Sequence, residues 1–187
     1  MTTHPETVTL PHSGLQVPTE HPRVVALSVT GTGSREVLTA RVRLADREIG
    51  TIGTKGAGGA LLYQPADPAA FGYDWLNAFA ASCQQHGRAV STQRVLTLMV
   101  EEHEVADHLL RALADDQTLA RYVVYGYTDH VITVKLTVPI RDLDLTPLAD
   151  DLADVAEEDG GRWQIWTGTT WQQLPDPSTA GQDGTDR

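Results

Sequence analysis

Residues 36–53, EVLTARVRLADREIGTIG, set Leu38, Ala40, Val42 and Leu44 in alternation with Thr39, Arg41 and Arg43, then turn back through ADR into EIGTIG. Successive side chains of a strand point to opposite faces, so this period of two gathers the four apolar residues on one side and the arginines on the other. The segment reads as a β-hairpin with one face built for a core. Outward from it, RVVALSVTG (residues 23–31) is a β-branched run ending at glycine, and ALLYQ (residues 60–64) is a further strand after a glycine-rich loop.

The period then changes. In ADPAAFGYDWLNAFAASCQQHG, Asp67 is placed to cap a helix and Pro68 occupies a first-turn position that needs no amide donor. Phe71, Trp75 and Phe79 follow at four-residue steps as one apolar stripe, and Gly87 is the expected end. A second helix is expected from Ser91 or Thr92, its stripe made of Leu96, Met99, Ala106, Leu110 and Leu113. Beyond Asp115 and Asp116, RYVVYGY and HVITVKLTV flank TD as a second hairpin, which Pro139 stops. TPLADDLADVAEEDGG reads as a short acidic helix capped by Thr146, with Pro147 in its first turn, Leu148, Leu152 and Val155 on its apolar edge and Gly160 at its end. RWQIWTGTTWQQL closes the chain's ordered part as a tryptophan-rich hairpin turning near Gly168. The expected class is α+β: a mainly antiparallel sheet carrying two longer helices and the short acidic one.

A chain of 187 residues, 41% hydrophobic and 21% charged, is long enough to bury a core. One domain is expected over residues 23–174. Residues 1–22, with four prolines and the turn PHSG, read as an extended, partly mobile arm or as short edge strands around that turn, and residues 175–187 as a disordered tail. No apolar run reaches the roughly 18 residues of a membrane span, and the amino terminus lacks the charge and apolar pattern of a signal, so the expected location is the cytoplasm. Fourteen basic against twenty-five acidic residues leave a net charge of −11, which opposes direct binding to nucleic acid. The single cysteine, Cys83, lies among apolar residues and reads as an inert buried thiol rather than a nucleophile.

The glycine loop between the strands, IGTIGTKGAGGA, invites comparison with phosphate-binding motifs. It lacks the order of glycines, lysine and hydroxyl residue that wraps a nucleotide phosphate. A dinucleotide fingerprint fails too, because Leu61 stands where a third glycine would follow Gly58 and the next element reads as a strand, not a helix N-terminus. Gly56, Gly58 and Gly59 then serve an irregular turn. REIGTIGTKGAGGALLY resembles a segment of small uncharacterised proteins from actinobacterial phages and mobile elements, in which a strand hairpin leads into a Gly-Gly loop; the asparagine of that pattern is missing near Thr54. The resemblance implies a genomic context and carries no activity.

Three groups of residues are candidate sites. EEHEVADH places His103 and His108 five apart, about 140° around a helix, which rules out a shared i, i+4 metal pair. Glu104 with His108, and His103 with Asp107, do share faces and would make a metal site only with a further ligand such as His86 or His130; the plainer expectation is a solvated helix face, with no metal and no cofactor. Residues 142–159 hold eight carboxylates, including Asp150, Asp151 and Asp154, and no basic residue: a solvated face, or an imitation of a phosphate backbone. Trp163, Trp166 and Trp171 are the third group, with Trp163 and Trp171 expected to face each other across the last hairpin, and Arg41 and Arg43 are free to pair with the acidic helix. The leading expectation is a non-enzymatic accessory or binding protein that engages a protein partner, or a second copy, through Trp163, Trp166, Trp171, Asp150, Asp151 and Asp154. The alternatives are an acidic nucleic-acid mimic that inhibits a DNA-binding protein, and a small metal-dependent enzyme using His103, Glu104, Asp107 and His108.

Overall fold

The computed structural model describes residues 6–32, 36–54, 59–123, 131–153 and 161–175. These form an α+β fold with three antiparallel sheets. The chain divides into two compact units, residues 1–107 and 108–187, where composition pointed to one domain. No helix among the described residues is long and apolar enough to cross a membrane.

In the first unit, β1 (Thr7–Thr9) and β2 (Leu15–Pro18) pair with β7 (Gln84–Gln85) and β8 (Arg88–Ala89) in the order β1-β2-β7-β8. Residues 7–18 are thus short strands around the PHSG turn, the second of the two readings, and not a mobile arm: Leu15 and Val17 alternate inward and are fully buried. Apolar residues there are few, but they fall at a spacing of two, which suffices to anchor an edge. The second sheet runs β3 (Arg23–Thr30), β4 (Val37–Leu44), β5 (Arg47–Gly53), β6 (Leu62–Pro65) in simple sequence order. Ala40 and Val42 are buried while Thr39, Arg41 and Arg43 are exposed, as the alternation requires. The β4–β5 turn is Ala45–Asp46, with Ala45 held at a φ of 49°.

The helix expected over residues 67–87 is shorter and broken. Asp67 accepts from the amides of Ala69 and Ala70 to cap α1 (Pro68–Phe71), Gly72 leaves the helical region, and α2 (Tyr73–Ala81) follows. His86 and Gly87, at φ of 51° and 73°, form the hairpin turn between β7 and β8 instead of a helix end. This is the conformation a two-residue hairpin demands, and glycine adopts it freely. Phe71, Trp75 and Phe79 do make one stripe, in an edge-on contact at 5.3 Å and a stacked one at 5.9 Å.

Next, α3 (Thr92–Ala114) begins where Ser91 accepts from the Arg94 amide, and the division between the two units falls within it. Its buried stripe matches the expected one at Leu96 and Met99 and departs from it towards the end, where Leu110 and Leu113 are 68% and 57% exposed. Val95, Leu98, Val105, Leu109 and Ala112 are buried instead, along with Leu96, Met99 and Val100 near the start. The core of the first unit joins these early α3 residues to Leu76, Phe79 and Cys83 and to the inner faces of both sheets.

In the second unit, the sheet order is β10-β9-β11-β12, from β9 (Thr118–Val123), β10 (Val131–Leu136), β11 (Arg162–Trp166) and β12 (Trp171–Gln173). α4 (Leu145–Ala153) lays Ala149 and Leu152 in a core with Ala120, Tyr122, Trp163 and Ile165. Its cap is Asp144, whose Oδ1 accepts from the Thr146 amide, rather than Thr146 itself. Asp154, Val155 and the acids at 157–159, His130, the lysine and most glycines of the loop at 55–58, and the tail beyond residue 175 lie outside the described residues.

Candidate functional site

Val95, Leu98, Glu102, Val105, Leu109 and Ala112 recur along α3 at steps of three and four, so Glu102 occupies a position in the buried stripe. A carboxylate there needs hydrogen-bond donors to offset its lost hydration. It finds them in the β1–β2 turn: Oε2 accepts from the amides of His12 at 3.0 Å and Ser13 at 2.7 Å, and from the Ser13 hydroxyl at 2.8 Å. Gly14, at a φ of 68°, completes that turn, and Gln85 donates to the Ser13 carbonyl at 3.1 Å. One helix side chain thus fastens the amino-terminal hairpin.

The same arrangement opens a cleft of about 400 Å³ lined by β1, the start of β3 and the middle of α3. Val8, Leu10, Val24, Met99 and Ala106 give it apolar walls; His21, Arg23, Glu102 and His103 are its ionisable groups. His21 is only 6% exposed. Its Nδ1–H donates to the carbonyl oxygens of Pro18 at 3.0 Å and Thr19 at 3.2 Å, which leaves Nε2 to accept from Arg23 Nε at 3.4 Å. Both ring nitrogens are therefore committed to partners within the protein. Arg23 itself is exposed at the mouth.

Register adds a feature that lies outside the cleft wall. Arg23 pairs directly with Arg43 across β3 and β4, and Arg43 stands opposite Glu48 on β5. Glu48 makes its ion pair with Arg41, at 3.9 Å. Arg41 thus has a carboxylate partner within its own sheet. Arg23, Arg41 and Arg43 lie on neighbouring strands, although the whole chain carries a charge of −11.

Of the sequence candidates, His103 lines the cleft, but Glu104, Asp107 and His108 do not join it there. His86 is an exposed turn residue of the β7–β8 hairpin. No group of three His, Cys, Asp or Glu side chains among the described residues has the geometry to hold a metal ion. Cys83 is fully buried, and its thiol donates to the Phe79 carbonyl at 3.3 Å. Burial pushes this thiol up to about 11, against a smaller opposing contribution from Ser82. A group held protonated in this way is a poor nucleophile.

In the second unit the tryptophans are divided between two faces. Trp163 is 7% exposed and packs against Tyr122, its cross-strand neighbour, at 5.3 Å, so it belongs to the core and offers no interface. Trp166, not Trp163, faces Trp171, with ring centroids 5.3 Å apart. Both are half-buried, and the Arg121 guanidinium lies 4.0 Å from the Trp171 ring centre while its Nε donates to Gln164 at 2.9 Å. Asp150 and Asp151 are exposed on α4. A hollow beside Trp166, lined also by Leu113 and Ile140, measures about 110 Å³, below the usual size of a small-molecule pocket, whereas the cleft of the first unit falls within it.

Glu102, His21 and Arg23 were missed as site residues. Glu102 had a readable signal, a charge inside a three-four apolar spacing; His21 and Arg23 had none, since their meeting with α3 is a long-range contact. Comparison with protein-family models, curated proteins and solved structures returned no match.

Proposed function

We propose that this chain is a non-enzymatic binding protein whose receptor site is the cleft between the amino-terminal strands and α3. The observation that carries the reading is the pairing of apolar walls with two ionisable groups committed to structural hydrogen bonds, Glu102 to three donors and His21 to two carbonyls and a guanidinium, beside Arg23 and His103 in the same lining. General acid–base work needs a group free to exchange a proton with substrate. Binding needs only shape, apolar area and fixed polar markers, which the cleft supplies. The resemblance of residues 47–63 to actinobacterial phage and mobile-element proteins supports an accessory role in that setting.

A thermal-shift screen of the full chain against small amphiphiles and polar metabolites tests this. Ligands should raise the Tm of the wild type and fail to do so for Ala106→Trp, which fills the cleft from α3. Equal shifts in both proteins, or hits only among polar metabolites, contradict it.

A protein partner engaged by the second unit is a second reading, favoured by the half-buried Trp166–Trp171 pair with Arg121 stacked beneath it. Paired tryptophans with an arginine are the residue types that dominate binding hot spots. Capture of a host protein that is lost on Trp166→Ala and kept on Ala106→Trp would favour this reading over the cleft.

A further inference from the structure

We propose that the cleft takes an amphipathic carboxylate, its apolar tail along Val8, Leu10, Val24 and Met99 and its anionic head at Arg23 and Arg43. The proposal rests on the reading of the cleft as a binding site and adds the chemistry of the occupant. Walls of this composition select a hydrocarbon body. The head group follows from Arg23, which is part of the cleft lining, and from Arg43, its cross-strand neighbour outside that lining. Arg23 and Arg43 are direct cross-strand neighbours, an arrangement that is unfavourable for like charges unless an anion lies between or over them. Glu48, the carboxylate nearest in register, is taken up by Arg41. Arg23 spends only its Nε on His21, which leaves its two terminal amino groups without an acceptor among the described residues. A planar guanidinium in that state matches a carboxylate in two parallel hydrogen bonds. Glu102, the acid within the cleft, directs its Oε2 to the amides of His12 and Ser13 and to the Ser13 hydroxyl, whose dipoles offset part of its charge.

Isothermal titration of the full chain with decanoate, and separately with decanol, tests the assignment. Decanoate should bind about fivefold or more tightly than decanol, a gap set by the partial exposure of the arginines. The double variant Arg23→Gln/Arg43→Gln should close the gap by weakening decanoate alone, and added salt should narrow it in the wild type. Ala106→Trp should weaken both ligands. Equal affinity for the two ligands in the wild type, or an unchanged gap in the double variant, overturns the head-group assignment while leaving the cleft intact as an apolar site. Failure of the folded wild type to bind either ligand, or undiminished binding to Ala106→Trp, overturns the cleft reading with it.

Discussion

Glu102 shows how one residue ties local pattern to tertiary structure. Its carboxylate replaces a core aliphatic on α3 and serves as acceptor for a turn whose amides have no strand partner. Glu102→Ala removes the acceptor and strands those donors, so it should lower stability by about 1.5–3 kcal/mol, the range for hydrogen bonds to a charged group. Urea denaturation measures this; Glu102→Gln, which keeps one acceptor oxygen, should lose less. Cys83 gives a second test at this scale. Its thiol, normally near 9.0 and raised by burial to about 11, ionises more readily in the unfolded chain than in the folded one. That contribution to stability is intact below pH 9 and falls away as pH rises from 9 towards 11. Native protein should therefore resist iodoacetamide at pH 8 and react only on unfolding, and Cys83→Ala should show a shallower alkaline loss of stability. Rapid alkylation of the native chain would contradict the buried, hydrogen-bonded thiol.

Among the elements, strands were the more legible. The alternation in residues 36–53 specified a hairpin because one face is buried and the other wet, and a slip of one residue would reverse both. The interrupted helix at Gly72 and the β7–β8 turn were not legible, since Phe71, Trp75 and Phe79 keep helical spacing straight across the break. For α3 the difficulty was an excess of aliphatic residues. Two overlapping stripes exist, and only packing decides that Leu109 and Ala112 turn inward while Leu110 and Leu113 face out. In the last hairpin the register, Trp166 opposite Trp171, assigns the tryptophans to different tasks. Trp163→Ala should destabilise the fold by about 3–5 kcal/mol, the cost of emptying a large aromatic site in a core. Trp166→Ala, half-exposed, should cost about 1 kcal/mol, within the ordinary range for single substitutions. Thermal denaturation of the two variants separates them, and equal losses would contradict the division into core and surface rings.

At the scale of the whole molecule, the two units each close around an apolar interior of their own, one built on the first two sheets and the early part of α3, the other on the last sheet and α4. A single domain was the expectation from length and composition, and α3 runs through the division without a glycine or a proline to mark it. The cleft was hidden for a related reason: its walls come from residues 8–24 and 99–106, which no local pattern joins. His103, expected on a solvated helix face, shares that cavity with His21 and Glu102. The most direct test of the account is a set of intermolecular NOEs between a bound decanoate and the protein. The account predicts contacts from the ligand chain to the Met99 ε-methyl group and to the side chains of Val8 and Val24. Contacts confined to the indoles of Trp166 and Trp171 would contradict it and move the binding surface to the second unit.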